Sequence, residues 1–458
     1  MAGPAKTQQI DDGLPPLAPR PASVSSLGLL RALRTDILGA FSADFYTELR
    51  VPFRRLRRQF VCFNDPDDIA HVLNTQMRRY RTNILGRRLL EPIVGQGLIF
   101  AEGEDWRRQH AQLAPFFQAR GLERLVPSFH RAAEAHMGAW PRDRPFERNL
   151  LLDFRRLTIA VIARSLMSIE DETRTAELAD FASHGESAGA LLDWRDGLAL
   201  LFGDRVPQPP GRLAFAARWR EWVEALLAAR PAQAGADGAN DMLDVLRTPR
   251  DGESAAPVAE IVGQVGTMLS AGFITTAIAL FWTVLLLARF PAHQQAIRDE
   301  LGAGDADAPA SWSSIRASRL ATAFVYETLR LYPPVYVIAR EAKEEDELGD
   351  FRVDRGTATI ISAWTTHRHE KLWRHPSQFD PGRFLKKGQI ATPPAWIPFG
   401  VGPRVCIAST FAIAEIVVVL RYLLSRYQVE LSGPAPRPVG RVTLIPEFAP
   451  QFVLTPLP

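Results

Sequence analysis

Cysteine is scarce in this sequence, with Cys62 and Cys406 the only two among 458 residues. Two cysteines cannot form the disulfide framework of a small secreted protein. Cys62 lies in the apolar segment Phe-Val-Cys-Phe, which is typical of a buried strand. The surroundings of Cys406 are different and indicate a chemical role.

Long apolar runs and a strong net charge are also missing. The longest largely apolar run, residues 277–288, is well short of the ~20 residues that span a bilayer, so we expect the buried part of a helix. Residues 1–26 are proline-rich and polar and lack the apolar core of a signal peptide, so we expect a flexible lead-in there. The net charge of +3 is too small to indicate nucleic-acid binding. Together these absences predict a cytoplasmic protein without a transmembrane anchor.

A glycine-rich turn carries Cys406. The segment that begins at Phe399 reads Phe-Gly-Val-Gly-Pro-Arg-Val-Cys and leads into an apolar helix pattern at 407–424. A free cysteine is mostly protonated at neutral pH, whereas the N-terminal end of a helix favours a thiolate and a bound iron holds it deprotonated. Gly400 and Gly402 allow a tight turn beneath a porphyrin. The spacing favours a thiolate presented to haem iron, and the alternative is a cysteine buried behind a turn.

This segment resembles the haem loop of the cytochrome P-450 superfamily, Phe-x-x-Gly-x-Arg-x-Cys-x-Gly, except that Ala408 stands at the last position. The resemblance implies a mainly α-helical fold with small β-sheets, in which haem b lies between helix I and the cysteine loop with helix L. It implies one haem-binding domain over residues 27–458. It also implies Cys406 as the iron ligand, Arg404 as a donor to a haem propionate, and Phe399 packed against the sulfur.

A Glu-x-x-Arg pattern precedes the haem loop. Glu327 and Arg330 are three residues apart, on one face of a helix, and the two prolines at 333–334 should end that helix. The resemblance implies that Arg383 joins them in a buried cluster behind the haem, although Gly382 replaces the glutamate usual there. The alternative is a surface ion pair, which would contribute little stability.

Three further residues match the family's donors to the haem propionates. Trp106 and His110 are four residues apart and share a helix face. Arg340 follows the two prolines and matches the third donor of the family. Partly buried carboxylates need charged or strong hydrogen-bond donors, which these side chains supply.

The segment Ala-Gly-Phe-Ile-Thr-Thr at 271–276 resembles the family's oxygen-activating motif. The resemblance implies catalytic roles for Gly272, Thr275 and Thr276, with the alcohol of Thr275 passing protons toward O2. Ile274 occupies the position of the family's acid and cannot carry a proton. Either water and Thr275 suffice, or the substrate supplies a polar group, or the chemistry is not ordinary hydroxylation.

The resemblance implies a monooxygenase that uses O2 and electrons from a ferredoxin and a ferredoxin reductase fed by NAD(P)H. It places the substrate among mostly apolar walls, which favours a terpenoid, fatty acid or aromatic substrate. The region around 181–202 and the turn near Phe448 are expected to contribute to these walls. The predicted wall residues are Leu90, Val94, Phe100, Ala271, Val335 and Val337. One alternative is a haem-thiolate isomerase, dehydratase or peroxide-using enzyme. Another is a haem sensor without turnover.

Two clusters remain open to more than one interpretation. His367, His369 and His375 could suggest a metal site, but no carboxylate or cysteine spacing supports zinc, and the resemblance places them in a structural segment. Arg107 and Arg108 either belong to a basic surface that docks the ferredoxin or are solvated helix residues.

Periodicity predicts the framework around these motifs. Long helices are expected at 150–169 and 256–290, with a short one at 241–247 and loops at 232–240 and 301–310. Strand patterns occur at 351–353, 357–361, 428–431, 442–444 and 452–455, and strand character alternates over 50–63.

Overall fold

The computed structural model describes residues 35–458 except 56–57, 191–194, 197, 200–204, 231–240, 249–254 and 303–308. Before residue 35 it describes 14–17, 20–21, 24–25, 28 and 31–32. Several predicted segments therefore lie outside the described residues. They are the loop at 232–240, most of the loop at 301–310, most of the lead-in and part of the predicted substrate region at 181–202. Within the lead-in, Arg20 stacks over the ring of Tyr46 at 3.8 Å and the carbonyl of Pro21 accepts from Ala43 N at 3.1 Å.

Helices dominate the described chain, as the sequence predicts. They are α1 Pro66–Ala70, α2 Ile84–Val94, α3 Gly103–Phe117, α4 Ala119–Met137, α5 Leu150–Met167, α6 Glu172–Ala190, α7 Pro210–Ala228, α8 Met242–Arg247, α9 Val258–Arg289, α10 Pro291–Leu301, α11 Trp312–Ala317, α12 Arg319–Leu331, α13 Ala363–Thr366 and α14 Ser409–Leu424. The helix α12 ends two residues before the prolines at 333–334, because proline disfavours helical backbone in the residue before it.

The strands form small sheets. They are β1 Arg50–Arg55, β2 Arg58–Phe63, β3 Tyr80–Thr82, β4 Phe146–Arg148, β5 Ile338–Ala342, β6 Asp346–Leu348, β7 Phe351–Val353, β8 Ala358–Ile361, β9 Leu385–Lys386, β10 Gln389–Ile390, β11 Tyr427–Ser432, β12 Pro438–Gly440, β13 Leu444–Pro446 and β14 Gln451–Pro456. The largest sheet has the order β1-β2-β8-β5-β3, and a second has the order β11-β14-β4. The pair β2 and β8 is parallel, with Cys62 opposite Ile360, and Cys62 is fully buried there as predicted.

One predicted strand is wrong. The pattern at 442–444 predicts a strand, but the strand begins at Leu444 and pairs with β12. Residues 441–443 instead form a turn before this strand, in which Arg441 N donates to the Thr443 carbonyl at 3.0 Å. The β-branched side chains of Val442 and Thr443 suit either conformation, so the local pattern does not distinguish them.

The long helix α9 forms the centre of the molecule. It packs against α5, where a Cβ on Gly272 would come within 2.8 Å of Ile162 Cδ1. It also packs against α2, where a Cβ on Gly263 would lie 2.6 Å from the Val94 carbonyl oxygen. Small residues at both crossings let the helices approach closely, and a helix that is apolar all round is buried by its neighbours.

Two helical segments reach the length and hydropathy of a membrane span. They are Val258–Arg289 and Gly402–Leu424, but 72% and 61% of their most apolar windows are buried inside the protein. This burial is typical of core helices. The cytoplasmic location stays a prediction.

Candidate active site

A large, partly open cavity of about 2170 Å³ lies between α9 and the loop that carries Cys406. The turn before Cys406 contributes to its wall, as do α2, α3 and the segment after the prolines at 333–334. The cavity brings together side chains from parts of the chain that are more than 400 residues apart, such as Ile37 and Ile445, and most of the predicted site residues line it.

Cys406 is presented to the cavity by the glycine turn. Gly400 and Gly402 have φ angles of 75° and 77°, which only glycine adopts at little cost. A Cβ on Gly402 would lie 2.6 Å from the Leu73 carbonyl oxygen, so the turn also needs a residue without a side chain there. Cys406 N donates to the Phe399 carbonyl at 2.9 Å, which closes the loop, and the cysteine is accessible from the cavity.

The helix N-terminus has less effect on the free thiol of Cys406 than the sequence analysis expects. Burial raises the pKa of Cys406, and the backbone N–H of Ala408 at the start of α14 only partly offsets this. The helix terminus alone therefore does not produce the thiolate, because the low polarity around the sulfur opposes a charge. A bound iron would hold the sulfur deprotonated against this shift.

Two arginines line the wall beside this loop. Arg340 lies on β5, and among the described residues its side chain makes no ion pair, but Nη1 donates to the Ala339 carbonyl at 3.1 Å. Burial, reinforced by the charge of Arg404, lowers the pKa of Arg340 to about 10, while Glu102 acts in the opposite direction. Burial also lowers the pKa of Arg404. Two adjacent, partly buried cations favour an anionic group between them.

The aromatic donors lie on the same wall. Trp106 and His110 on α3 have ring centroids 5.0 Å apart, and both line the cavity. The guanidinium of Arg404 lies 5.3 Å from the Trp106 ring centroid and donates to the carbonyls of Ile99 and Ala101. These two bonds use part of its fork of donors, so Arg404 fixes the loop before α3 as well as facing the cavity.

These residues fit a haem. The donor set contains one soft sulfur ligand directed into a mostly apolar cavity, which is suited to haem iron. The cationic and aromatic donors beside it suit two carboxylates, as the propionates of haem b require. Phe399, predicted to pack near the sulfur, also lines the cavity.

The opposite wall is formed by α9. Residues 271–276 all line the cavity, and the helix is continuous through them. Thr275 Oγ1 donates to the Ala271 carbonyl at 2.6 Å and is accessible, whereas Thr276 and Ile274 are largely buried. Gly272 leaves room for Ile162 of α5, and no interruption of the helix accompanies it. The carboxylates among the described lining residues are Asp44 and Glu102, and neither lies on α9.

Most predicted substrate contacts line the cavity. Those that do are Leu90, Phe100, Ala271, Val335 and Val337. The prediction that Val94 contacts the substrate is wrong, because Val94 is fully buried and does not line the cavity. It ends α2 against Gly263 of α9, whereas Ile93 lies on the cavity side.

The prediction that the turn near Phe448 forms a wall of the substrate site is also wrong at Phe448. Phe448 is exposed outside the cavity, whereas Val442 and Thr443 line it. The sequence analysis missed Thr267 and Trp219 as lining residues. The position of Thr267, two helical turns before Thr275, is a signal that could have been used. Trp219 comes from α7, and no local pattern connects it to the site.

Behind the cysteine loop, the structure brings the three predicted cluster residues together. Arg330 Nε and Nη2 donate to the two carboxylate oxygens of Glu327 at 2.6 and 2.7 Å. Arg383 Nε donates to Glu327 Oε1 at 3.2 Å, and Asp380 N donates to the same oxygen at 2.8 Å. Glu327 and Arg330 are fully buried, so the surface alternative does not describe them.

The structure also shows the contacts of the arginine pair at 107–108 and of the histidine group at 367–375, which the sequence left open to more than one interpretation. Arg108 forms a bidentate ion pair with Glu260 of α9 at 2.9 and 2.7 Å, and Arg107 lines the cavity and pairs with Glu104. The ring nitrogens of His367 are both used in backbone hydrogen bonds, to the Arg330 carbonyl and from Ile397 N. No group of three histidine, cysteine or acidic side chains in the described part of the chain is placed to hold a metal ion.

The fold and the site together define a haem-thiolate protein. The sequence model of the cytochrome P-450 family matches residues 49–450, and the chain therefore belongs to the cytochrome P-450 family. Members of this family bind haem b and are oxidoreductases that use O2, a substrate and a redox partner. The chain is an enzyme of this class.

Similar proteins include cyclooctatin synthase of Streptomyces melanosporofaciens, 28% identical over 83% of this chain and 85% of that protein. Cytochrome P-450 714B1 of Oryza sativa is 30% identical over 75% of this chain and 67% of that protein. Among solved structures, the haem domain of cytochrome P-450DA has a TM-score of 0.77 at 23% identity and covers 96% of this chain and 98% of that one. A 6-coordinated cytochrome P-450 of Thermus thermophilus has a TM-score of 0.64 at 24% identity, with coverages of 87% and 93%. These structures confirm the predicted fold.

Proposed function

We propose that this protein is a haem-thiolate monooxygenase that inserts one oxygen atom of O2 into a hydrophobic small molecule. Its electrons would come from a ferredoxin and a reductase that oxidises NAD(P)H. The observation that carries the proposal is that Cys406 and the Thr275 face of α9 open onto the same large cavity. The lining on α9, α5 and α7 contains no charged residue, which suits an apolar substrate.

The residues of the chain divide into three tasks. Cys406 would be the axial ligand, and a thiolate ligand gives haem an electron donation that favours O–O cleavage. Trp106, His110, Arg340 and Arg404 would hold the propionates by hydrogen bonds and charge, which orients the cofactor in the cavity. The neutral wall of α9 would exclude water and hold the substrate.

Proton delivery would use Thr275. Its Oγ1 donates to the Ala271 carbonyl at 2.6 Å, and the same oxygen lines the cavity and can accept a hydrogen bond from water. To pass a proton on, the hydroxyl would leave the Ala271 carbonyl, turn its hydrogen toward the next acceptor and take a proton from the water in exchange. Thr276 lies next to it but is largely buried, which makes it a support for the helix rather than a proton carrier.

The test of the class uses both cysteines. Cys406→Ala should abolish the strongly red-shifted Soret band of the reduced carbon-monoxide complex, because that shift reports thiolate ligation. Cys62→Ala is the matched control, since Cys62 is fully buried in β2 and away from the cavity, and it should keep the band. A histidine-type carbonyl spectrum in the unchanged protein would overturn the assignment.

Ile274 supports a second candidate, a haem-thiolate enzyme with atypical chemistry such as an isomerase, dehydratase or peroxide user. It is buried in α9 at the position of the family's acid, and none of the described carboxylates that line the cavity lies on that helix. A positioned acid–base group contributes about 10²–10⁴-fold to proton transfer. We therefore expect little product per NADH consumed with apolar substrates, and a gain in Ile274→Asp. Tight coupling in the parent, unchanged in the variant, would favour an ordered water chain and ordinary monooxygenation.

A further inference from the structure

Tyr326 differs from the other tyrosines of the chain. The sequence contains seven, and those that are at most 5% exposed are Tyr46, Tyr80, Tyr332, Tyr336, Tyr422 and Tyr427. Tyr326 lies on α12 and is only half-buried. Its hydroxyl has no hydrogen-bond partner among the described residues and is not fully buried, so water reaches it. The phenol of Tyr326 is therefore accessible at the protein surface.

An aromatic path joins this phenol to the cysteine loop. The ring of Tyr326 stacks on Trp396, with centroids 4.3 Å apart and planes at 23°. Trp396 meets the ring of Phe399 at 5.9 Å, and the Phe399 carbonyl accepts from Cys406 N at 2.9 Å. Phe399 and Cys406 line the cavity, whereas Trp396 and Tyr326 do not. The rings thus lead from the predicted iron ligand to a surface outside the cavity.

The stacked pair is held in place. Trp396 Nε1 donates to the Tyr326 carbonyl at 3.2 Å, which ties the indole to the backbone of the residue on which it stacks. Phe384 is fully buried and packs edge-on against both rings, with its centroid 5.7 Å from each. The separation of the two rings is therefore fixed and short. This favours electron transfer between them, because transfer slows steeply with distance.

The two side chains have the chemistry of an electron relay. Indole and phenol rings lose one electron to a strong oxidant far more readily than a phenylalanine ring does. Burial raises the pKa of Tyr326, so the ring is a neutral phenol at neutral pH. A phenol that loses an electron also loses its proton, and the accessible hydroxyl of Tyr326 can release that proton to water.

We propose that Tyr326 is a second, surface site of oxidation, at which phenols too large for the cavity are oxidised at the expense of hydrogen peroxide. Trp396 relays the electrons from Tyr326 toward the haem site. The proposal rests on the proposed haem-thiolate function, which supplies the place where peroxide is reduced. Ile274 gives such a route a use, because slow proton delivery in the cavity releases peroxide instead of product.

The electrons and protons of this reaction balance. Reduction of one hydrogen peroxide to two waters in the cavity consumes two electrons and two protons. Each electron leaves Tyr326 through Trp396, and the phenol proton of Tyr326 passes to water, which leaves a neutral tyrosyl radical. A phenol in solution then gives a hydrogen atom to this radical and restores Tyr326. Two such cycles convert one peroxide and two phenols into two waters and two phenoxyl radicals.

The test uses the haem-loaded protein, hydrogen peroxide and a phenol coupled to a dextran polymer, which cannot enter the cavity. Electron paramagnetic resonance of samples frozen after peroxide addition should show a tyrosyl radical in the parent, and labelling with ring-deuterated tyrosine should narrow its signal. Tyr326→Phe keeps the stacked ring but loses the phenol, so both the radical and the oxidation of the polymer should be lost. Trp396→Phe should lose them too, because the relay is interrupted.

Tyr332 provides the matched control. Its ring stacks on Trp282 with centroids 4.5 Å apart and planes at 14°, but it is only 1% exposed. Tyr332→Phe should therefore keep both the radical and the oxidation of the polymer. A free phenol small enough to enter the cavity should still be oxidised by Tyr326→Phe, because it does not need the surface site.

The surface site and the proposed function can fail separately. A radical and a rate of polymer oxidation that are unchanged in Tyr326→Phe or in Trp396→Phe would overturn the surface site, and the thiolate carbonyl spectrum of the parent would still support the haem assignment. A parent that forms the Tyr326 radical with peroxide but shows a histidine-type carbonyl spectrum would support the surface site and count against the proposed function.

Discussion

His367 is a buried residue whose protonation state the structure defines. Nδ1 lies 2.9 Å from the Arg330 carbonyl, and Nε2 accepts from Ile397 N at 2.8 Å, so Nδ1 carries the single proton. Burial, reinforced by the charge of Arg330, lowers the pKa of His367 to about 3. The ring therefore joins the end of α12 to the segment before the haem loop as a neutral group.

This depressed pKa predicts an acid-sensitive contribution to stability. The unfolded chain binds a proton on this ring below its ordinary pKa of 6.5, whereas the folded protein resists it until about pH 3. The contribution is fully present above the unfolded pKa and is lost as the pH falls between these values, at up to about 1.4 kcal/mol per pH unit. Chemical unfolding of the parent and of His367→Gln, which can make both bonds, should show a shallower slope in the variant. The control is the exposed His293→Gln, and equal slopes in all three would contradict the prediction.

At the scale of elements, the Glu327 cluster connects α12 to the segment 376–383. Besides its pair with Glu327, Arg330 donates to the carbonyls of His367, Pro376 and Gln378 at 2.7–2.8 Å. Each partner of the buried carboxylate is thus also tied to a loop backbone. The cluster fixes that loop, which leads into the haem segment.

Glu327→Ala should unfold at a much lower denaturant concentration and retain little haem. Breaking a buried ion pair typically costs about 3–5 kcal/mol, because the arginine left behind is unpaired. The measurement is urea unfolding together with haem content. Glu345→Ala, which breaks an ion pair exposed on both sides, should change stability by at most about 1 kcal/mol. A Glu327→Ala protein that melts like the parent would show that the cluster does not stabilise the fold.

A second buried network joins α2 to α7. Arg212 makes a bidentate pair with Asp196 at 3.1 and 2.9 Å, and Arg88 reaches the same carboxylate at 3.4 Å. Arg88 also donates to the carbonyls of Val206 and Pro207 at 2.6 and 3.1 Å. All three side chains are almost fully buried. The network holds the segment before α7 against α2, beside the cavity.

Arg88→Gln should loosen this segment, since hydrogen bonds to a charged group contribute about 1.5–3 kcal/mol. Hydrogen exchange of the amides at 205–215 should accelerate, and the unfolding midpoint should fall. The neighbouring Arg87→Gln is the matched control, because Arg87 makes only an exposed pair with Glu91 in the described structure and should change stability by about 0.5 kcal/mol or less. Equal exchange in the two variants would refute a role for the network.

At the scale of the whole molecule, a bound haem would fill part of the cavity between α9 and the haem loop. A ligand that binds only the folded protein stabilises it by mass action, by about 4 kcal/mol at a thousandfold excess over its dissociation constant. Extraction of haem should therefore lower the melting temperature, and reconstitution should restore it. Calorimetry of the extracted and reconstituted protein measures the effect, and in Cys406→Ala added haem should restore less. Equal melting temperatures with and without haem would contradict this picture.

The tertiary structure decided which side chains share the cavity. A helical pattern does not indicate which neighbour each face meets, so Val94 was placed on the wrong side of α2. Trp219 of α7 and Thr267 of α9, 48 residues later, both line the cavity, and only packing brings them to it. The protonation of Cys406 also depends on tertiary structure, because burial by distant segments raises its pKa against the local helix dipole.

The sequence by itself determined what depends on neighbours along the chain. The glycine turn before Cys406 follows from backbone angles that glycine alone adopts at little cost. The pairing of Glu327 with Arg330 follows from helical spacing, and the end of α12 follows from two prolines. The short-range geometry of the chain sets these features, whereas the cavity, its volume and its charge arise from long-range packing, which the hydrophobic effect drives without encoding partners locally.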